Sequence, residues 1–138
     1  MFRIGEVAKR AGVSVDAVRY YERCGLLRAV GRTEAGYRLF APETISRIRF
    51  IKRAQGLGFS LSEVAELLSL AEHPAATCGE VRAQVLTKLR VVERKLERLA
   101  QLRERLLQLA EQCEGGSLPA ERCSILLALT EEDPCASG

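Results

Sequence analysis

The sequence predicts a mainly α-helical protein: four short helices and a β-hairpin wing at the front, then one long helix whose apolar stripe needs a partner, then a short loop and a small terminal helix. Three observations predict this. Apolar residues recur every three to four positions along most of the chain, punctuated by Gly and Pro at positions such as 12, 25, 42, 56, 58 and 74. Residues 80–112 contain neither Gly nor Pro and carry an apolar stripe close to a heptad. The charge is also segregated, with twelve Lys/Arg against five Asp/Glu in residues 1–60 and nine against thirteen in residues 61–138.

In chain order, Ile4, Val7, Ala8 and Ala11 line one face of a first helix, and Gly12 stands where a left-handed stop is expected. Ser14 suits the N-cap of a second helix, Val15–Arg23, with Asp16 favourable in its first turn and Cys24-Gly25 at its end. Two short helices joined by a tight turn form a helix-turn-helix, whose second helix enters a major groove. Residues 26–40 place a polar, Gly-containing centre, GRTEAG, between apolar shoulders Leu26-Leu27 and Tyr37, Leu39 and Phe40, which reads as a hairpin wing. Pro42 opens a third helix with Ile45, Ile48, Ile51 and Ala54 facing inward. Ser60 and Glu63 form a capping box for a fourth, with Val64, Leu67 and Leu68 inward, before His73-Pro74 breaks the chain.

In the long helix Val85, Leu89, Val92, Leu96, Leu99, Leu102, Leu106 and Leu109 form the stripe, with a local slip at Leu99 and Leu102. A single exposed apolar stripe needs a partner to cover it, and a second copy is the simplest one. Cys78 and Cys113 flank this helix, and at ~1.5 Å rise per residue they stand roughly 50 Å apart within one chain. Antiparallel pairing brings Cys78 of one subunit beside Cys113 of its partner, which makes a shared soft-metal site. The segment CEGGSLPAERC is a loop, Ile125 to Leu129 form a short helix, and residues 130–138 read as a frayed tail.

No apolar run reaches the ~18 residues of a membrane span, and the first residues lack a secretion signal, so the sequence predicts a cytoplasmic protein. Five cysteines, an odd number, point to free thiols, metal ligands or redox work rather than a disulfide framework. A basic front half suits a polyanion partner. No nucleophile–base set or phosphate-cradling glycine motif is present, and the single histidine has no catalytic companion at helical spacing, so no enzyme is predicted.

Four stretches carry a further likeness: IGEVAKRAGVSVDAVRYYERCGLL, RTEAGYRLF, RFIKRAQGLGFSLSEVAELL, and the trio Cys78, Cys113 and Cys123 around the long helix. Through them the chain resembles the MerR family of metal-responsive transcriptional regulators over essentially its full length. The resemblance implies a winged helix-turn-helix DNA-binding domain at 1–72, a linker at 73–79, an antiparallel coiled-coil dimerisation helix at 80–112, a metal-binding loop and short helix at 113–130, and a tail at 131–138. It implies a homodimer on double-stranded promoter DNA, acting on RNA polymerase through the shared promoter. Such regulators repress without metal and activate by untwisting the promoter when metal binds. Carried over by position, Arg19 and Tyr20 on the recognition helix contact DNA, Tyr37, Arg38 and Arg32 in the wing hold the flanking backbone, and Ser14 at the helix start joins them. Tyr21 packs inside, while Lys52 and Arg53 on the third helix stay open between surface and DNA roles.

The implied metal ligands are Cys78 of one subunit with Cys113 and Cys123 of the other. Three thiolates favour Hg(II), then Cd(II) and Pb(II); Zn(II) ranks lower because it wants a fourth ligand and zinc-responsive relatives carry extra Cys or His in this loop. The loop is one residue longer than the typical mercury-type loop. His73 is an alternative fourth ligand or a plain surface residue. Cu(I)-sensing relatives place Ser at the start of the long helix, drug-binding relatives append a ligand domain, and iron–sulfur relatives cluster four cysteines. A thiol redox sensor, through a disulfide of Cys113 and Cys123 or a bridge at Cys78, is the competing function. Cys24 is expected to be partly buried, and Cys135 is either an auxiliary ligand or a tail thiol.

Overall fold

The computed structural model describes residues 1–131; the expectations for Cys135 and most of the tail lie outside the described residues. The chain divides into two compact units, Met1–Lys88 and Leu89–Gly138. The first contains β1 (Phe2–Arg3), α1 (Ile4–Ala11), α2 (Val15–Arg23), β2 (Gly31–Arg32), β3 (Arg38–Phe40), α3 (Glu43–Gly56), α4 (Leu61–Glu72) and the start of α5 (Cys78–Gln112). The fold is mainly α, with a winged helix-turn-helix.

The turn between α1 and α2 forms as its residues dictate. Gly12 adopts φ 73° and its amide reaches Lys9 O, while Val13 N bonds Ala8 O at 3.0 Å, so the last carbonyls of α1 are satisfied. Ser14 Oγ then accepts from Ala17 N at 3.1 Å and starts α2. The wing is larger than the expected hairpin. β3 is the centre of a three-stranded antiparallel sheet, pairing β2 on one side and β1 on the other with Phe2 opposite Phe40. Two residues beside the chain start carry no strand periodicity, so β1 was invisible in the sequence. At the wing tip Gly36 takes φ 89°, with its amide on Thr33 O and Thr33 N on Tyr37 O.

Val7, Val18, Phe40, Ile48, Ile51 and Val64 are fully buried, drawing one side chain from each of α1, α2, β3 and α4 and two from α3. Each contributes about 1.5–3 kcal/mol over its exposed state. Leu26 and Leu27 are buried as expected, whereas Ile45 and Leu67 lie at the margin of the core and are only half-buried. Both sit to one side of the fully buried line of their helix, Ile48 and Ile51 in α3 and Val64 and Leu68 in α4. The expected capping box opens α4, Ser60 Oγ accepting from Glu63 N at 3.2 Å and Glu63 Oε1 accepting from Ser60 N at 2.8 Å.

The long helix starts at Cys78, two residues before the expected position. The cause is Thr77, whose Oγ1 accepts from Glu80 N at 3.2 Å; with Glu80 three residues on, TCGE is a capping signature that could have been read. None of its residues is buried in the single chain, and from Val85 to Leu106 the stripe is 38–66% exposed. In the second unit α5 ends before a loop with Gly115 and Gly116 at φ 78° and 85°. A 3-10 turn, Ala120–Arg122, leads into α6 (Ser124–Glu131), and Ser124 Oγ donates to Gln112 O at 2.6 Å, closing the loop onto the end of α5. Among the described residues no helix is long and apolar enough to cross a membrane.

Candidate nucleic-acid interface and thiol loop

One open groove of about 710 Å³ gathers most of the sequence candidates. It is lined by Arg19 from α2, Arg32, Gly36, Tyr37 and Arg38 from the wing, and Arg3, Ile4, Glu6 and Lys9 from the start of the chain and α1. Five cations thus face one carboxylate, a field that draws in an anion. Arg32 and Arg38 stand directly opposite each other across β2 and β3. Like charges so placed repel. The wing offsets this by other partners: Arg38 Nη1 lies 2.8 Å from Glu22 Oε1, and Arg32 Nη1 donates to Gly36 O at 3.0 Å. Arg19 holds only a long pairing to Asp16 at 3.6 Å, leaving its guanidinium free to read a base edge or a phosphate.

The α1 N-terminus opens on the same groove, and Arg3 at its cap position makes no side-chain cap bond, so free amides add positive potential there. Arg3 itself stacks over Tyr37 with its guanidinium carbon 4.1 Å from the ring centroid, which holds the wing tip to the chain start. Arg3 and Lys9 escaped sequence reasoning because only the pairing of β1 with β3 brings them to the wing.

Tyr20 is exposed on α2 with the Arg23 guanidinium over its ring. Tyr21 is buried as expected; its hydroxyl donates to Gln55 Oε1 at 3.0 Å, and burial raises its pKa. Ser14 is exposed at the head of α2, where its oxygen is engaged as the cap. Lys52 does not face the groove: its ammonium donates to Gly12 O at 3.0 Å, and Arg49 donates to Arg10 O at 2.9 Å, so both serve the C-terminus of α1. Cys24 is exposed, contrary to expectation, because it follows Tyr20 by one helical turn on the outward face of α2.

In the thiol loop, the bond from Ser124 Oγ to Gln112 O, 2.6 Å, joins the neighbours of Cys123 and Cys113 and so brings the two cysteines to the neck of one loop. Cys123 caps α6, with Leu127 N on its carbonyl at 3.1 Å. The nearby amides of Leu126 and Ile125, with the Cys113 thiol, lower the pKa of Cys123. Gly115 N donates to Cys113 Sγ at 3.4 Å. This donor set fits a soft cation: two thiols at the neck of one loop, one of them with a lowered pKa. Cys78 is exposed in the first turn of α5. His73 accepts from Ala75 N at Nδ1, 3.1 Å, within its turn. Among the described residues of one chain, no three Cys, His, Asp or Glu side chains gather to hold a metal ion.

Comparison with known proteins concerns the family and the fold. Residues 2–71 match the family described as MerR HTH family regulatory protein, and residues 45–109 match the one described as MerR, DNA binding. The chain is 41% identical over 112 residues to the mercuric resistance operon regulatory protein of Bacillus cereus, covering 81% of this chain and 85% of that one. Its fold superposes on the transcription regulator PbrR691 of Ralstonia metallidurans, solved in complex with lead(II), with TM-score 0.85, 36% identity and coverage of 94% and 99%. It also superposes on the dual function regulator MerR of Bacillus megaterium, solved with mercury(II), with TM-score 0.73, 35% identity and coverage of 94% and 100%. With helix-turn-helix, wing and long helix aligned along nearly the whole length of such relatives, the chain belongs to the MerR family of transcription regulators.

Proposed function

We propose that the protein is a homodimeric regulator that represses its promoter without metal and activates it by distorting the DNA when a thiophilic divalent cation binds. Residues 1–72 form the DNA-binding domain, 73–79 the linker, 80–112 the dimerisation helix, and 113–130 the metal loop and short helix. Two α5 helices pair antiparallel, so that Cys78 of one protomer joins Cys113 and Cys123 of the other in each of two sites. The observation that carries the reading is the loop closed by Ser124 Oγ on Gln112 O, which sets Cys113 at the end of α5 and Cys123 at the head of α6 on one neck, beyond the end of the helix that Cys78 begins. The bound cation supplies a bond between subunits. Hg(II) is favoured, with Cd(II) and Pb(II) next and Zn(II) less suited, since the loop offers no His. The mercuric relative and the lead(II) and mercury(II) structures support this ligand class.

On DNA, Arg19 reads a guanine edge or phosphate, Tyr20 donates to phosphate, and Arg32, Tyr37 and Arg38 hold the flanking backbone, with Ser14 at the recognition-helix start. RNA polymerase is engaged through the shared promoter. Induction requires the activating conformation to bind metal more tightly than the repressing one. The proximity of Cys113 and Cys123 favours a second reading, a loop disulfide that senses oxidant.

The test is a reduced, anaerobic mixed dimer with Cys78→Ser in one chain and Cys113→Ser in the other, titrated with Hg(II) against a competing small thiol. One tight site is expected, because the two substitutions fall in the same shared site. Two tight sites, or none, reject the shared geometry. Transcription that answers to peroxide and not to Hg(II) turns the assignment to the redox reading.

A further inference from the structure

Among the described residues, one side-chain hydrogen bond ties the long helix to the four helices of the DNA-binding fold. Lys88 Nζ, on α5, lies 2.7 Å from Glu63 Oε1 on α4, with the two side chains 15% and 32% exposed. The same carboxylate oxygen accepts from Ser60 N at 2.8 Å, so Lys88 is fastened to the capping box that begins α4. The ammonium also stands 5.7 Å from the centroid of Phe59, a buried core residue in the turn between α3 and α4. Gln84, four residues earlier on the same face of α5, is half-buried too, whereas its neighbours Val85 and Leu89 on the stripe are exposed. α5 therefore carries two faces: a seam for a second copy and, beside it, an anchor on its own DNA-binding fold.

The anchor and Cys78 lie on one stretch of helix. Cys78 is ten residues before Lys88, about 15 Å along the axis. Residues 73–77 form the covalent link from α4, so this first part of α5 is held at two points, the link at one end and the ion pair at the other. A helix held twice cannot slide or roll over α4 without breaking one hold. A partly buried ion pair with a shared hydrogen bond resists sliding more than an apolar contact of the same size, because parting breaks a directional bond and leaves each charge without its partner.

We propose that the Lys88–Glu63 pair is the joint that makes α4 and the start of α5 turn as one piece, so that a bond formed at Cys78 moves the helix-turn-helix. This rests on the metal reading above. Lys88 and Glu63 are positioning residues: neither lines the DNA groove, and neither is a metal ligand.

The experiment compares wild type, Lys88→Met, Lys88→Arg and Glu63→Gln, each as the full-length dimer on its own promoter fragment with Hg(II) as the inducer. Three quantities are read: promoter affinity without metal, the number of tight Hg(II) sites, and Hg(II)-induced base unstacking in the promoter spacer together with transcription. Lys88→Met and Glu63→Gln are expected to keep metal-free affinity within about threefold and both Hg(II) sites, yet to lose induction at least tenfold. Lys88→Arg, which keeps the charge, is expected to restore most of it. Circular dichroism melting checks that each variant is folded, and Glu63→Gln, which keeps the bond to Ser60, carries the test if Lys88→Met does not fold. Full induction in Lys88→Met or Glu63→Gln overturns the joint. So does a loss of metal-free affinity equal to the loss of induction, which marks a merely structural role. A wild-type protein that binds no Hg(II), or whose promoter does not respond to it, overturns the metal reading itself.

Discussion

Glu63 shows how much one side chain can settle in this protein. Its carboxylate accepts from the Lys88 ammonium and from Ser60 N, and these bonds, the first larger, pull its pKa from the usual 4.5 to about 2. A carboxylate whose folded pKa lies below its unfolded one adds stability that is whole above the unfolded value and is lost as pH falls through the folded one. Urea unfolding of wild type and Glu63→Gln should therefore differ most near neutral pH. The difference should begin to shrink below about pH 4.5 and be lost as pH falls through about 2. A gap that stays constant across this range would show that the charge on Glu63 does not matter. At the same scale, the amides of Leu126 and Ile125 and the Cys113 thiol lower the pKa of Cys123, which in the proposed metal site would weaken proton competition for its sulfur.

Among the elements, α5 depends on how it starts. Thr77 satisfies the amide of Glu80, and its own carbonyl accepts from Val81 N at 3.3 Å, so the first turn forms with Cys78 at its head. Thr77→Ala should cost about 1 kcal/mol of stability, with Thr77→Ser close to wild type, as measured by chemical denaturation. It should also fray the turn that presents Cys78, which amide hydrogen exchange at Glu80 and Val81 would report. Unchanged protection there would mean the cap is idle. The wing makes a related point, since β3 collects partners from both sides and brings the chain start, the recognition helix and the hairpin to one groove.

For the whole molecule, the proposed dimer depends on the exposed stripe of α5. Side chains such as Leu96 and Leu99 are largely open to solvent in a single chain, and in the proposed dimer burying this stripe against a second copy would drive pairing. Leu96→Glu together with Leu99→Glu places like charges in that seam. Sedimentation at micromolar concentration should find a monomer, and promoter affinity should fall by at least tenfold as the two half-sites lose their linked reader. A double variant that remains a dimer would place the pairing surface elsewhere.

Local chemistry alone determined most of the fold and the candidate residues. Helix spacing, the Gly12 stop, the Ser14 and Ser60 caps and the Gly-free run after residue 79 are signals written within a few residues, and the structure follows them. The trio Cys78, Cys113 and Cys123 came instead from the resemblance to the family. Only the tertiary structure decided what depends on residues far apart in sequence. β1 exists because Phe2 meets Phe40; Arg3 and Lys9 join the groove because that pairing brings them there; Lys52 turns to Gly12 instead of the groove; and Lys88 reaches Glu63 across 25 positions. Such pairings leave no periodic mark in the sequence, since their free energy is realised only once the core has brought the partners within bonding distance.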